Sequence, residues 1–273
     1  MPILLGLLAS FLIGVSDFLG ARSAGRTTAL QTTAAAFLGG GLVALIYSPL
    51  LGDPSVEDIA LGALSGIALA IALTTLWRAY ALSSIGVAAP IAAVVSTVVP
   101  VLYGAARGEI PGALGWLGIG VGVLALFLTS WQPAGDPSRV GVTLGLISGL
   151  FFSAMYIVAI STSDGAGTWP IVSQRFTAFA LALAAALATR QRPFAGGSAT
   201  RISVLAGVFG ASGVAAVVYG GQRGPIAPVV VAGSMYPAVA IGLAWLFMGQ
   251  VLTPRQILGL IGALVGVALI ALD

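Results

Sequence analysis

Stretches of apolar residues, each long enough to cross a bilayer at about 20 residues, follow one another along nearly the whole chain. Short loops rich in glycine, proline, serine and arginine separate them. Only 7% of the residues are charged and 59% are hydrophobic, whereas a soluble globular chain carries about 25% charged residues. The sequence therefore predicts an all-α, polytopic membrane protein with ten transmembrane helices. The expected spans cover residues 2–20, 28–50, 59–82, 87–106, 112–131, 140–161, 168–188, 202–221, 225–248 and 254–272.

The last two spans of each half carry motifs in the same order. Pro100 in the first half and Pro237 in the second each precede a polar turn, Gly108-Glu109 or Gly249-Gln250, and then a helix with spaced glycines. An internal repeat with helices interrupted by proline and glycine is typical of secondary transporters. Because five spans are an odd number, the second copy starts on the opposite side of the membrane, and the repeats are inverted. We expect a first repeat over residues 1–134, a connecting loop over 135–139 and a second repeat over 140–273.

Glycines four residues apart recur in several spans, for example Gly62/Gly66 and Gly118/Gly122. Such seams allow two helix backbones to approach closely in lipid. We interpret these glycines as packing surfaces.

Cysteine, histidine, lysine and asparagine are absent from the sequence. Disulfides, thiolate or imidazole metal sites and Schiff-base chemistry are therefore excluded. Asp17 is the carboxylate that falls inside a span, so we expect no enzyme activity, no cofactor and no metal site. The formal net charge of +3 is spread too thinly for a nucleic-acid surface. The expected partners are the lipid bilayer and a small-molecule substrate, and a homodimer stays open.

Three charged side chains lie at least three residues from the ends of the expected spans: Asp17, Arg78 and Arg175. A charge within the membrane is energetically costly, so each is a functional candidate. Asp17 and Arg78 fall at similar depth near the ends of the first and third spans, which predicts an ion pair between them. Asp17 could act as a proton acceptor, or the pair could be structural or reach to the membrane surface. Arg175 lies deeper and predicts an anion-binding site if it faces a cavity.

Aromatic residues near the prolines are the other binding candidates, although belts at the membrane surface are an equally simple interpretation. The prolines predict helix breaks or hinges, whose freed carbonyl groups can face a water-filled cavity, or kinks without any ligand contact. We expect a cavity near the midplane, lined by the third and fourth helices of each repeat. The substrate-binding candidates are Asp17, Trp77, Arg78, Tyr80, Tyr156, Arg175, Tyr219, Ser234 and Tyr236, and the hinge candidates are Pro90, Pro100, Pro228 and Pro237.

These motifs resemble the EamA family of the drug/metabolite transporter superfamily over essentially the whole chain. The segment 14–20 is similar to the start of the family's first helix, and Gln174-Arg175-Phe176 resembles the arginine that often opens the second helix of a repeat. Gln250 stands where the family carries a second glutamate, and Gln31 where the first repeat would carry its arginine. The resemblance implies ten spans in two inverted five-helix repeats.

The resemblance also implies a function. We expect a secondary transporter of the cell membrane, an exporter of small metabolites, amino-acid-like compounds or drugs that works by alternating access. Two alternatives stay open: a nucleotide-sugar or lipid-linked-sugar carrier of the same superfamily, and a structural membrane protein without transport. The duplicated helices with prolines favour a carrier, because a scaffold does not need breaks at the midplane.

Two arguments about the orientation in the membrane disagree. Seven arginines lie on the face that holds the loops after the first, fifth, seventh and ninth spans, and two lie on the other face. The positive-inside rule therefore places both termini outside, whereas the resembled family is usually drawn with both termini inside. Both orientations stay open.

Overall fold

The computed structural model describes residues 2–108, 110–130, 138–159, 161–222, 229, 232–233 and 235–273. Within these residues the chain is helical and contains no strand. The helices are α1 (Pro2–Ala24), α2 (Ala29–Tyr47), α3 (Val56–Leu82), α4 (Ile85–Ala106), α5 (Ala113–Ser130), α6 (Ser138–Ala159), α7 (Trp169–Ala188), α8 (Gly197–Gln222), α9 (Tyr236–Met248) and α10 (Pro254–Ala271). Single turns of 3₁₀-helix, Ser48–Leu50 and Asp164–Ala166, follow α2 and precede α7.

Eight helices of the described residues are long and apolar enough to cross a membrane. Two apolar stretches are shorter, Ala113–Ala125 within α5 and Tyr236–Met248, which is α9. The all-helical, multi-pass membrane protein predicted from the sequence is therefore confirmed, and ten full spans stay a prediction. Helix α1 runs past its expected end, and α8 begins before its expected start. The two extensions meet where the Ser23 hydroxyl donates to the Ala199 carbonyl oxygen at 3.2 Å, and Ser23 Oγ also lies 2.7 Å from Ser203 Oγ.

Capping residues set the starts of several helices. Before α2, the Thr28 side chain accepts a hydrogen bond from the Gln31 backbone, and the Gln31 side chain accepts one from the Thr28 backbone. Ser55 and Asp58 form the same arrangement at the start of α3. These capping boxes satisfy amide groups that have no partner in the first turn. Helix α9 ends at Gly249 with a φ of 66°, a left-handed conformation that favours glycine.

Helix α4 is continuous although Pro90 and Pro100 lie inside it. The prediction of a helix break at these two prolines is therefore wrong, while a hinge or a kink there stays a prediction. A proline removes one backbone hydrogen bond, but neighbouring helices can hold such a helix together in a membrane. Here α4 packs along α6, and the Ser153 hydroxyl donates to the Val95 carbonyl oxygen at 3.1 Å, between the two prolines.

Helices α1 to α5 form the first half of the chain and α6 to α10 the second, and the two halves interlock in matching pairs. Helix α1 packs on α8 as α6 packs on α3, and α2 packs on α8 as α7 packs on α3. Helix α4 packs on α6, and α9 packs on α1. Helices that hold the same position in each half also pack on each other, α2 on α7 and α5 on α10. The centre of the bundle is therefore built from both halves.

Small residues bring these helices into close contact. A Cβ atom on Gly207 of α8 would overlap the backbone of Ala36 in α2. A Cβ atom on Gly118 of α5 would lie 2.7 Å from the carbonyl oxygen of Gly266 in α10. The seam at Gly118 thus packs two helices together, as the glycine spacing predicts.

The loops gather at two ends of the bundle because successive helices alternate in direction. At the end that holds the start of α1, Ser48 Oγ lies 2.8 Å from Thr168 Oγ1. At the opposite end, Ser23 and Ser203 make the contact described above. Each of these pairs joins the first half to the second, so the halves are tied to each other at both ends.

Candidate functional site

Asp17 lies inside the bundle on α1, and only 4% of its surface is exposed. Its carboxylate accepts hydrogen bonds from Trp77 Nε1 at 3.4 Å and from the Tyr80 hydroxyl at 3.2 Å. Both donors reach the same carboxylate because residues three apart on a helix share a face. Gly20, one turn further along α1, leaves room for the indole, since a Cβ atom there would overlap the Trp77 ring. The first half therefore contains a buried carboxylate held by two donors from α3.

The predicted ion pair between Asp17 and Arg78 is wrong. The carboxylate of Asp17 is bonded by Trp77 and Tyr80, while Arg78 is exposed on the surface of α3. One residue along a helix turns a side chain by about 100°, so Arg78 points away from the face that Trp77 presents to α1. Similar depth in the membrane does not decide which face of a helix a residue occupies, and the face decides the pairing.

Arg175 is the other charge buried in the centre, with 5% of its surface exposed. Its Nε atom has no hydrogen-bond partner among the described residues. The base of the side chain packs on α2, where a Cβ atom on Gly41 would lie 3.4 Å from the Arg175 Cβ. The groups close enough to interact with its charge are the phenols of Tyr47 on α2 and Tyr156 on α6. Arg175 thus lies at the junction between the two halves.

Tyr156 connects the two buried charges. It is close enough to interact electrostatically with both Asp17 and Arg175, and Tyr236 interacts in the same way with Asp17 and Tyr156. Although both charged neighbours are buried, 46% of the Tyr156 surface is exposed. Tyr156 is therefore more accessible than the two charged side chains beside it. Asp17, Tyr80, Tyr156, Arg175 and Tyr236, from five different helices, are called the central cluster below.

Among the other sequence candidates, Trp77 contacts the central cluster through its hydrogen bond to Asp17, and others lie outside the described residues. Trp77 is completely buried in the hydrophobic core, so it belongs to neither an interfacial belt nor a cavity wall. Tyr219 is half-buried on α8. Pro237 lies in the first turn of α9, where proline is tolerated because the amide it lacks needs no helical partner. The candidates Ser234 and Pro228, and the motif residue Glu109, lie outside the described residues.

Tyr47 contributes to the site although sequence reasoning does not single it out. It is the last residue of α2, its hydroxyl donates to the Ala211 carbonyl oxygen at 3.2 Å, and its phenol lies near Arg175. A tyrosine at the end of a span is typical of an interfacial belt, so its position carries no special signal. The signal that could have found it is Arg175, because a buried charge requires polar neighbours.

The central cluster carries groups that can bind a polar solute. It combines one carboxylate, one guanidinium and three phenols in a shared interior. In the described part of the chain, no group of histidine, cysteine and acidic residues could hold a metal ion. Opposite charges at separate positions, with an accessible phenol between them, can orient a polar molecule between the halves.

The second half of the chain matches a known protein family. The model of the EamA-like transporter family covers residues 139–272. The chain belongs to the EamA-like transporter family. This family is part of the drug/metabolite transporter superfamily. The protein is therefore a transporter-like, multi-pass membrane protein, as the sequence motifs predict.

A solved crystal structure superimposes on this EamA-like chain with a TM-score of 0.62. The superposition covers 98% of this chain and 94% of the other chain, at 14% sequence identity. At that identity the likeness shows the fold alone, and it extends over nearly all of both chains. No curated protein matches the sequence.

Proposed function

We propose that this EamA-like protein is a secondary transporter of the cell membrane that exports small metabolites, amino-acid-like compounds or drugs. Transport proceeds by alternating access of two inverted five-helix halves, residues 1–134 and 140–273, joined by residues 135–139. The matching pairs of helix contacts support this architecture, because each described contact between α1 or α2 and the second half has a counterpart between α6 or α7 and the first.

The observation that carries the proposal is the composition of the central cluster. The first half supplies Asp17 and Tyr80, and the second supplies Tyr156, Arg175 and Tyr236. Ionisable residues inside a membrane are costly and are usually kept for a substrate or ion pathway. Transporters with internal repeats bind their substrates near the midplane, at the interface of the repeats. A solute held by this cluster contacts both halves at once.

Reconstitution tests the transport function directly. The purified protein is placed in liposomes loaded with labelled amino acids, small organic acids or cationic drugs, and the release of each compound is followed over time. We expect release of at least one compound to be faster than from protein-free liposomes. Release at the protein-free rate for every class would reject the transporter and favour the structural alternative.

Engineered disulfides test alternating access separately. The natural chain has no cysteine, and two pairs of hydroxyl atoms bridge the halves at opposite ends, Ser48 with Thr168 at 2.8 Å and Ser23 with Ser203 at 2.7 Å. Cysteines at such short separations are compatible with a disulfide. Oxidation of either pair should stop transport, and reduction should restore it. If both oxidised proteins transport at the full rate, the halves do not separate at these ends, while the carrier function itself stands.

The proposed partners are the lipid bilayer and the small-molecule substrate. A homodimer is compatible with this function and is not needed for it, because all five residues of the central cluster come from one chain. Light scattering on the purified protein in detergent measures which state is present.

A further inference from the structure

Arg175 is a buried cation with a hydrogen-bond donor, Nε, that has no partner in the described part of the chain. Only 5% of its surface is exposed. The groups near its charge, the phenols of Tyr47 and Tyr156, carry no charge at neutral pH. A buried charge without a partner strongly destabilises a protein. Its presence at this position therefore points to a ligand that supplies the missing anion.

The neighbouring polar side chain shows how the same helix satisfies a purely structural group. Gln174 precedes Arg175 on α7, is buried to a similar degree, and donates from Nε2 to Ser65 Oγ on α3 at 2.9 Å. That contact joins the two halves and leaves little room for a ligand. The charge of Arg175 instead lies near the phenols of Tyr47 and Tyr156, and Tyr156 is exposed. The difference assigns packing to Gln174 and binding to Arg175.

We infer that Arg175 binds the carboxylate of the transported solute, with the Tyr156 hydroxyl beside it. The inference rests on the proposed transport function and names the chemical class of its substrate. A guanidinium presents two parallel N–H groups that match the two oxygens of a carboxylate. The phenol of Tyr156 can donate a hydrogen bond to the same group.

The charges around Arg175 favour a solute that carries a single negative charge. One guanidinium with neutral neighbours balances one carboxylate, whereas a phosphate monoester carries up to two charges at neutral pH. Asp17 also lies within electrostatic reach of Tyr156, and a second carboxylate on the solute would be repelled from that side. The substrate class is therefore a small organic monocarboxylate.

Thermal unfolding in detergent tests the inference with matched pairs of ligands. The probes are hexanoate and phenylacetate, each compared with its uncharged amide, together with phenyl phosphate and the dicarboxylate adipate. We expect the two monocarboxylates to raise the Tm of the wild-type protein, because a ligand that binds only the folded state stabilises it. The amides, phenyl phosphate and adipate should raise it less. Equal shifts from acids and amides, a larger shift from phenyl phosphate, or no shift from either acid overturns the inference.

Two variants locate the effect at Arg175. Arg175→Gln should weaken binding of the effective acid at least about tenfold, since a hydrogen bond to a charged group is lost, and Arg175→Lys should keep part of it. Arg78→Gln is the matched control, because it removes an exposed arginine and should bind like the wild type. Unchanged binding by Arg175→Gln, with a monodisperse elution profile, contradicts the inference.

Transport in liposomes separates this inference from the broader function. If the wild-type protein moves a neutral or cationic compound but no monocarboxylate, the transporter survives and the role of Arg175 is rejected. If the wild-type protein moves no compound, the proposed function fails, whatever the binding result.

Discussion

The two buried charges at the centre of the bundle differ in how their hydrogen bonds are satisfied. Asp17 accepts hydrogen bonds from Trp77 and Tyr80, and all three residues belong to the first half. Arg175 has an Nε atom without a partner among the described residues, and the phenols near it, Tyr47 and Tyr156, come from different halves. Asp17 is thus hydrogen-bonded within the first half, whereas Arg175 has an Nε that is unpaired in the described part of the chain and lies at the junction of both halves.

If Arg175 binds the solute, as proposed, this difference separates a structural charge from a ligand-binding one. Burial alone does not distinguish them, because 4% of Asp17 and 5% of Arg175 is exposed. The number of partners does distinguish them, since a satisfied group holds helices together and an unsatisfied group keeps its capacity for a ligand.

In the proposed repeat, the two halves carry different residues at these positions. Asp17 lies eleven residues after Gly6, and Tyr156 lies eleven residues after Gly145, the corresponding glycine of the second half. Counted with the same offset, Arg175 corresponds to Ala36, a buried residue packed against α8, and not to Gln31, the position expected from the family resemblance. The first half therefore supplies the anion of the central cluster and the second half the cation.

The strongest test of the comparison is to remove the satisfied charge. Asp17→Ala leaves the Trp77 indole and the Tyr80 hydroxyl buried without an acceptor, at about 1–3 kcal/mol for each group. Asp17→Asn keeps one acceptor oxygen and should cost clearly less. The free energy of unfolding in detergent, from denaturant titration, measures both variants. Equal losses for alanine and asparagine would mean that the two hydrogen bonds do not account for the stability.

The next test disturbs the packing that positions Trp77. A Cβ atom on Gly20 would overlap the indole ring, so Gly20→Ala should push Trp77 from Asp17 and destabilise the protein by about 1–3 kcal/mol. Gly120→Ala is the control, because that glycine also lies inside a helix but has no atom within 4 Å of a built Cβ. The control should be neutral or more stable by about 0.5–1 kcal/mol, since alanine favours a helix. Equal changes in stability for the two variants would show that Gly20 has no steric role.

Much of the fold and part of the site are predictable from the sequence. Apolar stretches of bilayer length determine the helices, and the shared order of motifs identifies the family. Asp17 and Arg175 can be selected as candidates because charges in a membrane interior are costly, and Tyr80, Tyr156 and Tyr236 are aromatic candidates. The structure brings these five residues into one cluster.

The rotation of each helix about its axis is not predictable from the sequence. Trp77 and Arg78 are neighbours in the chain, yet one is fully buried and the other exposed, because one residue turns the direction by about 100°. A composition that is apolar on every face gives no pattern to fix that angle. The continuity of α4 through Pro90 and Pro100 is likewise decided by packing on neighbouring helices, not by the prolines.

The third test removes the unsatisfied charge and should have the opposite sign. Arg175→Met keeps a long side chain but removes the buried cation, whose Nε has no partner among the described residues. We expect stability without ligand to stay equal or to rise by about 1 kcal/mol, because replacing a buried charge with an apolar group is often neutral or stabilising. Denaturant titration measures this change beside Asp17→Ala. A loss as large as that of Asp17→Ala would show that Arg175 is as structural as Asp17, and the comparison would fail.

The smallest expected effect concerns Arg78, whose exposure separates it from both buried charges. Arg78→Gln should change the free energy of unfolding by less than about 0.5 kcal/mol, as for most surface substitutions. Combined with Asp17→Asn in a double-mutant cycle, the two changes should add to within about 0.3–0.5 kcal/mol, since residues without shared partners behave independently. The cycle is sensitive to an ion pair that forms only in another conformation of the transporter. A larger coupling energy would mean that Asp17 meets Arg78 in such a state and that its charge is not satisfied by Trp77 and Tyr80 alone.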